Sequence, residues 1–321
     1  MPSAPLRVAS ALAGICLAVG LASCTAAPTP SPGGGAGPRS GGAIELRASA
    51  ARSHMEALAN GIGDRYSGTD AERRAADYVG SAFERMGYTV ETQSFSFGRR
   101  GMSANVLATK PGASSGEIIV GAHYDSGDEG DGADDNASGV GVLLAAAEEV
   151  RDVETPYTIT FVAFGAEEAD DLYGSGHFVD QLDQSGRDNV VAMVNLDSIS
   201  AGDIPYVYGD ADDLREWIQR AADQAGQRMD TVPVSSLHGD ADYYPFQRAG
   251  IPFVYFEATN WNLGRRDGFT QVDPRFADDG AIIHTRYDTV SFLDDTFPGR
   301  IDERLALYTT VLTRVLTEYQ G

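Results

Sequence analysis

EIIVGAHYDSGDEGDGADD, residues 117–135, is an apolar run that ends on His123 and empties into an acidic loop. A helical stretch, Ala137–Val150, follows it. Then comes a second apolar run, TITFVAFGAEE at residues 158–168, which ends on two adjacent glutamates. Strands alternating with helices argue for a layered α/β domain with a largely parallel sheet. In open α/β sheets the carboxyl edge of the strands is where sites sit. Both acidic segments fall on that edge.

The pattern continues outward. Strand-like runs occupy Thr89–Phe97, Ala104–Thr109, Val190–Asn195, Tyr206–Tyr208 and Ile251–Phe256. Residues 43–61 and Asp213–Gln224 are helical in pattern, as is Asp302–Tyr319, with Leu305, Tyr308, Leu312, Val315 and Tyr319 on one face. Thr69-Asp70-Ala71-Glu72 is a capping box, after which Ala75, Val79, Ala82, Phe83 and Met86 repeat at helical spacing until Gly87. The runs at 89–97 and 104–109 are joined by the short Gly98-Arg99-Arg100-Gly101 connection, so that pair is expected antiparallel. The expected fold is α/β, three layers of α/β/α around a mixed, largely parallel central sheet, in one domain spanning residues 43–321.

Residues 1–23 combine Arg7, the small apolar run Val8–Gly20 and Leu21-Ala22-Ser23 before Cys24. This reads as a secretory signal ending in a lipoprotein box, with Cys24 as the lipidated new N-terminus. Residues 25–42, TAAPTPSPGGGAGPRSGG, have almost nothing to bury and read as a flexible tether. The expected location is the outer face of a bacterial membrane, held only by that lipid. Cys16 and Cys24 are the only cysteines, so any metal in residues 43–321 must be held by His, Asp and Glu. A net charge of −23 argues against nucleic acid and against attraction to anionic lipid. A monomer is the default expectation.

Four segments carry candidate chemistry. His123, Asp125 and Asp134-Asp135-Asn136 lie in the first, and an EF-hand reading fails there because Gly127, Gly130 or Ala133 falls where an oxygen ligand is needed. Glu167-Glu168 ends the second. Adjacent residues leaving a strand point in different directions, so one carboxylate can bind a metal while its neighbour faces the water to be activated. Asp197 ends the strand VVAMVNLD, and His284 follows Ala281-Ile282-Ile283. Each has an ordinary reading alone, as a solvated turn or helix start. Several unpaired carboxylates converging on one sheet edge need a counter-charge, which a metal pair supplies.

HYD, GADDN, GAEE, NLD and HTRYD, in this order, resemble the zinc aminopeptidases of family M28, whose enzymes carry two co-catalytic zinc ions. The resemblance runs from GTDAERRAADYVGSAFERMGY to the final helix. The stretch Phe256–Gly264 with Asp267-Gly268 is similar to the subgroup containing the alkaline phosphatase isozyme conversion aminopeptidase. The resemblance implies a zinc-dependent exopeptidase fold with Asp135 bridging two metals. It also implies that His123 and Asp197 complete one site, Glu168 and His284 the other. Glu167 would be the general base and Asp125 would fix the His123 ring. The ligands alone would also suit cobalt or manganese.

The sequence departs from that pattern at Ile283, where known members place a tyrosine that steadies the transition state. Tyr243, or its neighbour Tyr244, is the substitute candidate. His238 and Trp261 are candidates for the pocket rim or wall, and Glu257 and Asp267 for recognition of a cationic side chain. His54 and His177 read as structural. The expected activity is removal of N-terminal residues from peptides or proteins. Cyclisation of N-terminal glutamine with a single zinc, carboxypeptidase-like hydrolysis and a non-catalytic surface module are the alternatives.

Overall fold

Apolar runs bounded by turn residues become the strands of the computed structural model, which describes residues 40–169, 172–237, 241–263 and 270–321. The strands are β1 (Val90–Ser96), β2 (Met102–Lys110), β3 (Glu117–His123), β4 (Thr158–Phe164), β5 (Val190–Leu196), β6 (Ile204–Gly209) and β7 (Phe253–Thr259). They form one seven-stranded sheet in the order β1-β2-β4-β3-β5-β7-β6. The inner strands β4, β3, β5 and β7 run parallel. β1 and β2 pair antiparallel, as the short connection requires, and β6 closes the other side antiparallel to β7.

Alternation along the strands divides the core into two layers. Ile118, Val120 and Ala122 of β3 face one cluster, while Ile119 faces the other. The first layer is covered by α1 (Ser40–Ala59), α2 (Asp70–Arg85), α3 (Gly139–Val150), α6 (Asp212–Gln224) and α9 (Arg300–Glu318). The second is covered by α4 (Tyr173–Gln181) and α7 (Tyr243–Arg248), through Phe178 and Phe246. The remaining helices are α5 (Gln184–Asn189) and α8 (Val290–Thr296). The three-layer expectation therefore holds.

Close packing explains some local choices. A Cβ on Gly141 of α3 would meet Ala51 O at 2.5 Å, so glycine lets α1 lie against α3. Thr69 caps α2, its hydroxyl accepting from Glu72 N at 3.2 Å. Tyr243 and Tyr244, the substitute candidates, open the short helix α7. Pro245 sits within the first turn of α7, where no intrahelical donor is needed. Among the described residues no helix is long and apolar enough to cross a membrane. Cys24, tether residues 25–39, His238 and Asp267 lie outside the described residues, whereas residues 40–42, expected as the end of the tether, already belong to α1.

Candidate metal centre

The parallel strands deliver their C-terminal residues to one edge. His123 ends β3, Asp197 follows β5, and β4 turns through Gly165-Ala166 into Glu167-Glu168. Ala166 takes a left-handed φ of 53°, which turns the chain sharply just before the glutamates. His284, on a separate loop, is also left-handed at φ 56°.

Asp135 stands between two histidines. Its Oδ1 lies 3.0 Å from His123 Nε2, and its Oδ2 lies 3.2 Å from His284 Nε2. Each histidine has a second carboxylate of its own. Asp197 Oδ1 is 3.4 Å from His123 Nε2, and Glu168 Oε2 is 3.1 Å from His284 Nε2. Two triads result, His123/Asp135/Asp197 and Asp135/Glu168/His284, each with ligand atoms within 4.8 Å of one another. Glu167 lies beside them, grouped with His123 and Glu168. All five expected ligands and the expected base are thus brought together. His123, Asp135, Asp197 and Glu167 are buried, whereas the His284 side chain is 46% exposed.

Asp125 does more than the expected support of His123. Its Oδ1 is 3.4 Å from His123 Nδ1, long for a hydrogen bond, so that contact is mainly electrostatic. Its short contacts go elsewhere. Oδ1 accepts from Glu167 N at 3.2 Å, and Oδ2 accepts from Glu168 N at 3.1 Å and Ser67 Oγ at 2.6 Å. One carboxylate therefore orients the glutamate turn relative to the histidine.

Three supporting residues escaped the sequence reading. Fully buried Arg65 donates to the carbonyls of Tyr124, Gly63, Asp131 and Gly132 at 2.7–2.9 Å, shaping the loop between His123 and Asp135. Gly132 lies against it at φ 55°, and a Cβ there would meet Ser126 Cβ at 2.5 Å. Glu72, read only as a cap, accepts from Ser103 Oγ and from Ala166 N, holding the turn before Glu167. Asp288, in the HTRYD motif, accepts from Asp134 N at 2.6 Å and Asp135 N at 3.1 Å. The capping box was a signal for Glu72. Arg65, in GIGDRYSGTD, carries no periodic or motif signal.

The electrostatics call for a cation. Burial pushes Glu168 and Asp242 up to about 7, and neighbouring carboxylates add to it. Burial also drives Glu167 well above the carboxylate range, with Glu168, Asp242 and Asp197 reinforcing the rise. Asp135 goes the other way: burial opposes its ionisation, but contacts with His123 and His284 hold it far below the usual range. His284 is raised to about 12 by Asp135 and Glu168. Glu168 Oε1 is buried with no hydrogen-bond partner among the described residues. A nitrogen-and-oxygen donor set of three per triad, sharing one carboxylate, fits two divalent cations with positions left open. Such ions would displace protons from both histidines.

The candidate substrate residues divide. Glu257 lies on β7 next to the Asp197 segment, Asp197 N donating to Phe256 O at 3.1 Å. Glu257 Oε2 accepts from Tyr208 Oη at 2.7 Å, and Trp261 Nε1 donates to that same hydroxyl at 2.6 Å. Tyr243 is buried in the core, its ring stacked 4.5 Å from Phe253 and 5.3 Å from Tyr255. Its ring packing is that of a core aromatic. Tyr244 is at the surface beside Arg248. His177 packs on Phe95, and His54 pairs with Tyr78, as structural residues do.

A family model for Peptidase family M28 matches residues 105–309, from β2 into α9. The chain is 30% identical over 281 residues to the "Alkaline phosphatase isozyme conversion protein" of Escherichia coli, covering 75% of this chain and 81% of that protein. Its fold is similar to BSAP, a zinc aminopeptidase from Bacillus subtilis, with a TM-score of 0.70 and 20% identity across 85% of this chain and 96% of that one. It is equally similar in fold to an Acidobacteriales bacterium glutaminyl cyclase, with a TM-score of 0.69 and 20% identity across 91% and 99% of the two chains.

Proposed function

Because the chain belongs to peptidase family M28, we propose that this metal-dependent peptidase is an aminopeptidase acting on peptides or exported proteins. In this reading His123 and Asp197 would hold one zinc ion and Glu168 and His284 the other, with Asp135 shared between the two sites. The observation that carries it is the division of Asp135, one oxygen toward each histidine, with a further carboxylate on either side. Bound zinc would supply Lewis acidity and make water acidic enough to attack at neutral pH.

The protein's own groups do the rest. Glu167 takes the proton of the attacking water and returns it to the leaving amine. Asp125 holds the Glu167 and Glu168 amides while facing His123, which keeps base and ligand in register. The buried carboxylate of Glu257, one strand from Asp197, supports recognition of a positively charged amine end. The lipoprotein box at Cys24 and the tether after it support a place for the enzyme on the outer face of a bacterial membrane.

Turnover of matched peptides with free and acetylated N-termini, with and without chelator, tests the proposal. Release of the first residue from the free-amine peptide alone, abolished by chelator, is the expected result. Glu167→Gln should lower kcat by about 100-fold or more while leaving metal content intact. Loss of metal in that variant would show that the glutamate roles are reversed. The fold match to a glutaminyl cyclase favours a second reading, which predicts one zinc per chain and a cyclised product with no amino acid released.

A further inference from the structure

His284 is the exposed ligand among buried ones, on a loop outside the sheet, in a left-handed backbone conformation. Something must hold it in place. Both amides just before it, Ile282 N and Ile283 N, donate to Gln271 Oε1, at 3.1 and 2.9 Å. Gln271 Nε2 donates in turn to Asp134 Oδ2 at 2.6 Å. Asp134 is the chain neighbour of Asp135, and its Oδ1 accepts from Ser200 N at 2.6 Å, Ser200 Oγ at 2.8 Å and Ala201 N at 3.0 Å. Ser200 lies just past Asp197. The side-chain amide of Gln271 and the carboxylate of Asp134 thus connect the segments bearing Asp135, Asp197 and His284.

The Gln271 backbone is pinned on both sides, its carbonyl accepting from Asp203 N and its amide donating to Gly280 O, each at 2.9 Å. Gln271 and Asp134 are both buried, so water offers no substitute partner. Glutamine is the chemically apt residue. Its oxygen must accept two backbone amides while its nitrogen donates to a carboxylate that already has three donors.

We propose that Gln271 is a positioning residue for the Asp135/Glu168/His284 metal site, acting through the backbone of Ile282 and Ile283 to set His284 against Asp135. The inference rests on the two-metal reading above. Without the amide, Asp135 keeps its Asp288 contact and the Asp197 segment keeps Asp134, so the His284 site is the one that weakens. Supporting partners of metal ligands typically change affinity by about 10–100-fold, and that is the loss expected for Gln271→Ala.

The test is a cobalt titration of the metal-stripped full chain, followed by the visible d–d absorption and by calorimetry. The wild type should bind in two steps, and His284→Ala identifies the step that belongs to its site. Gln271→Ala should weaken that same step about 10–100-fold and leave the other nearly unchanged. Gln271→Glu alone sets two carboxylates face to face and should weaken it as well. The double variant Asp134→Asn with Gln271→Glu reverses donor and acceptor, keeps every hydrogen bond and leaves net charge unchanged. It should restore the step, which a role in bulk packing would not produce. Unchanged affinity in Gln271→Ala, or no recovery in the reversed pair, would overturn the proposal while leaving the two-metal reading intact. Fewer than two equivalents in the wild type would overturn both.

Discussion

Arg65 puts a fully buried guanidinium under a centre crowded with carboxylates, yet its donors go to four backbone carbonyls. Burial opposes its charge and lowers its pKa, and the fields of Asp288, Asp125 and Asp135 offset only part of that cost. The planar fork is what lets one side chain reach carbonyls on both sides of the loop. Lysine keeps the charge but has three donors on a flexible stem, so Arg65→Lys should leave buried carbonyls unpaired. A loss of at least about 2 kcal/mol is expected, read by urea unfolding. A change within about 0.5 kcal/mol would show that the fork geometry is dispensable. Such a residue is invisible in sequence because its partners are carbonyls, which any residue supplies. The strand-end site residues were legible for the opposite reason: the ligands His123, Glu168 and Asp197 and the expected base Glu167 each announce themselves by ending an apolar run.

At the scale of elements, α1 and α2 meet through His54 and Tyr78, Nδ1 to Oη at 2.7 Å. Burial, and then the charge of Arg85, push His54 down to about 4. The folded protein therefore binds fewer protons at this group than the unfolded chain between pH 6.5 and about 4. Its contribution is fully present above that window and is lost as pH falls, at up to about 1.4 kcal/mol per pH unit. His54→Gln removes the titration while offering Tyr78 a hydrogen-bond partner, so its stability should fall less steeply with acid. Parallel slopes for the two proteins through this window would mean that His54 does not titrate as a buried group. Elements with strict patterning were readable, as the strands and the capping box of α2 show. The helices α7 and α8 were not, because six or seven residues complete too few turns for a helical period to emerge.

At the scale of the whole molecule, the chain carries a net charge of −23 and concentrates several of its carboxylates in one buried cluster. Topology does this: parallel strands expose their C-terminal ends on one edge, and the apolar runs of β3, β4 and β5 there lead into a ligand. The long-range ties that hold the cluster, through Arg65, Glu72 and Gln271, join segments far apart in sequence and so leave no local pattern. If two divalent ions neutralise the cluster, they are part of the stability of the fold. A ligand that binds only the folded state stabilises it by about 4 kcal/mol at a thousandfold excess over its Kd. For a domain of this size that corresponds to a Tm shift of roughly 10 °C. Scanning calorimetry with and without chelator should show a drop of that order, and the Tm should climb with free zinc as mass action requires. Salt should not replace the metal, because screening acts on exposed charges and reaches a buried cluster weakly. A chelated protein that melts with the untreated one, or one rescued by salt alone, would mean that the carboxylates are balanced by protons and by Arg65 without a metal. In that case the raised pKa values of Glu167 and Glu168 would describe the resting protein.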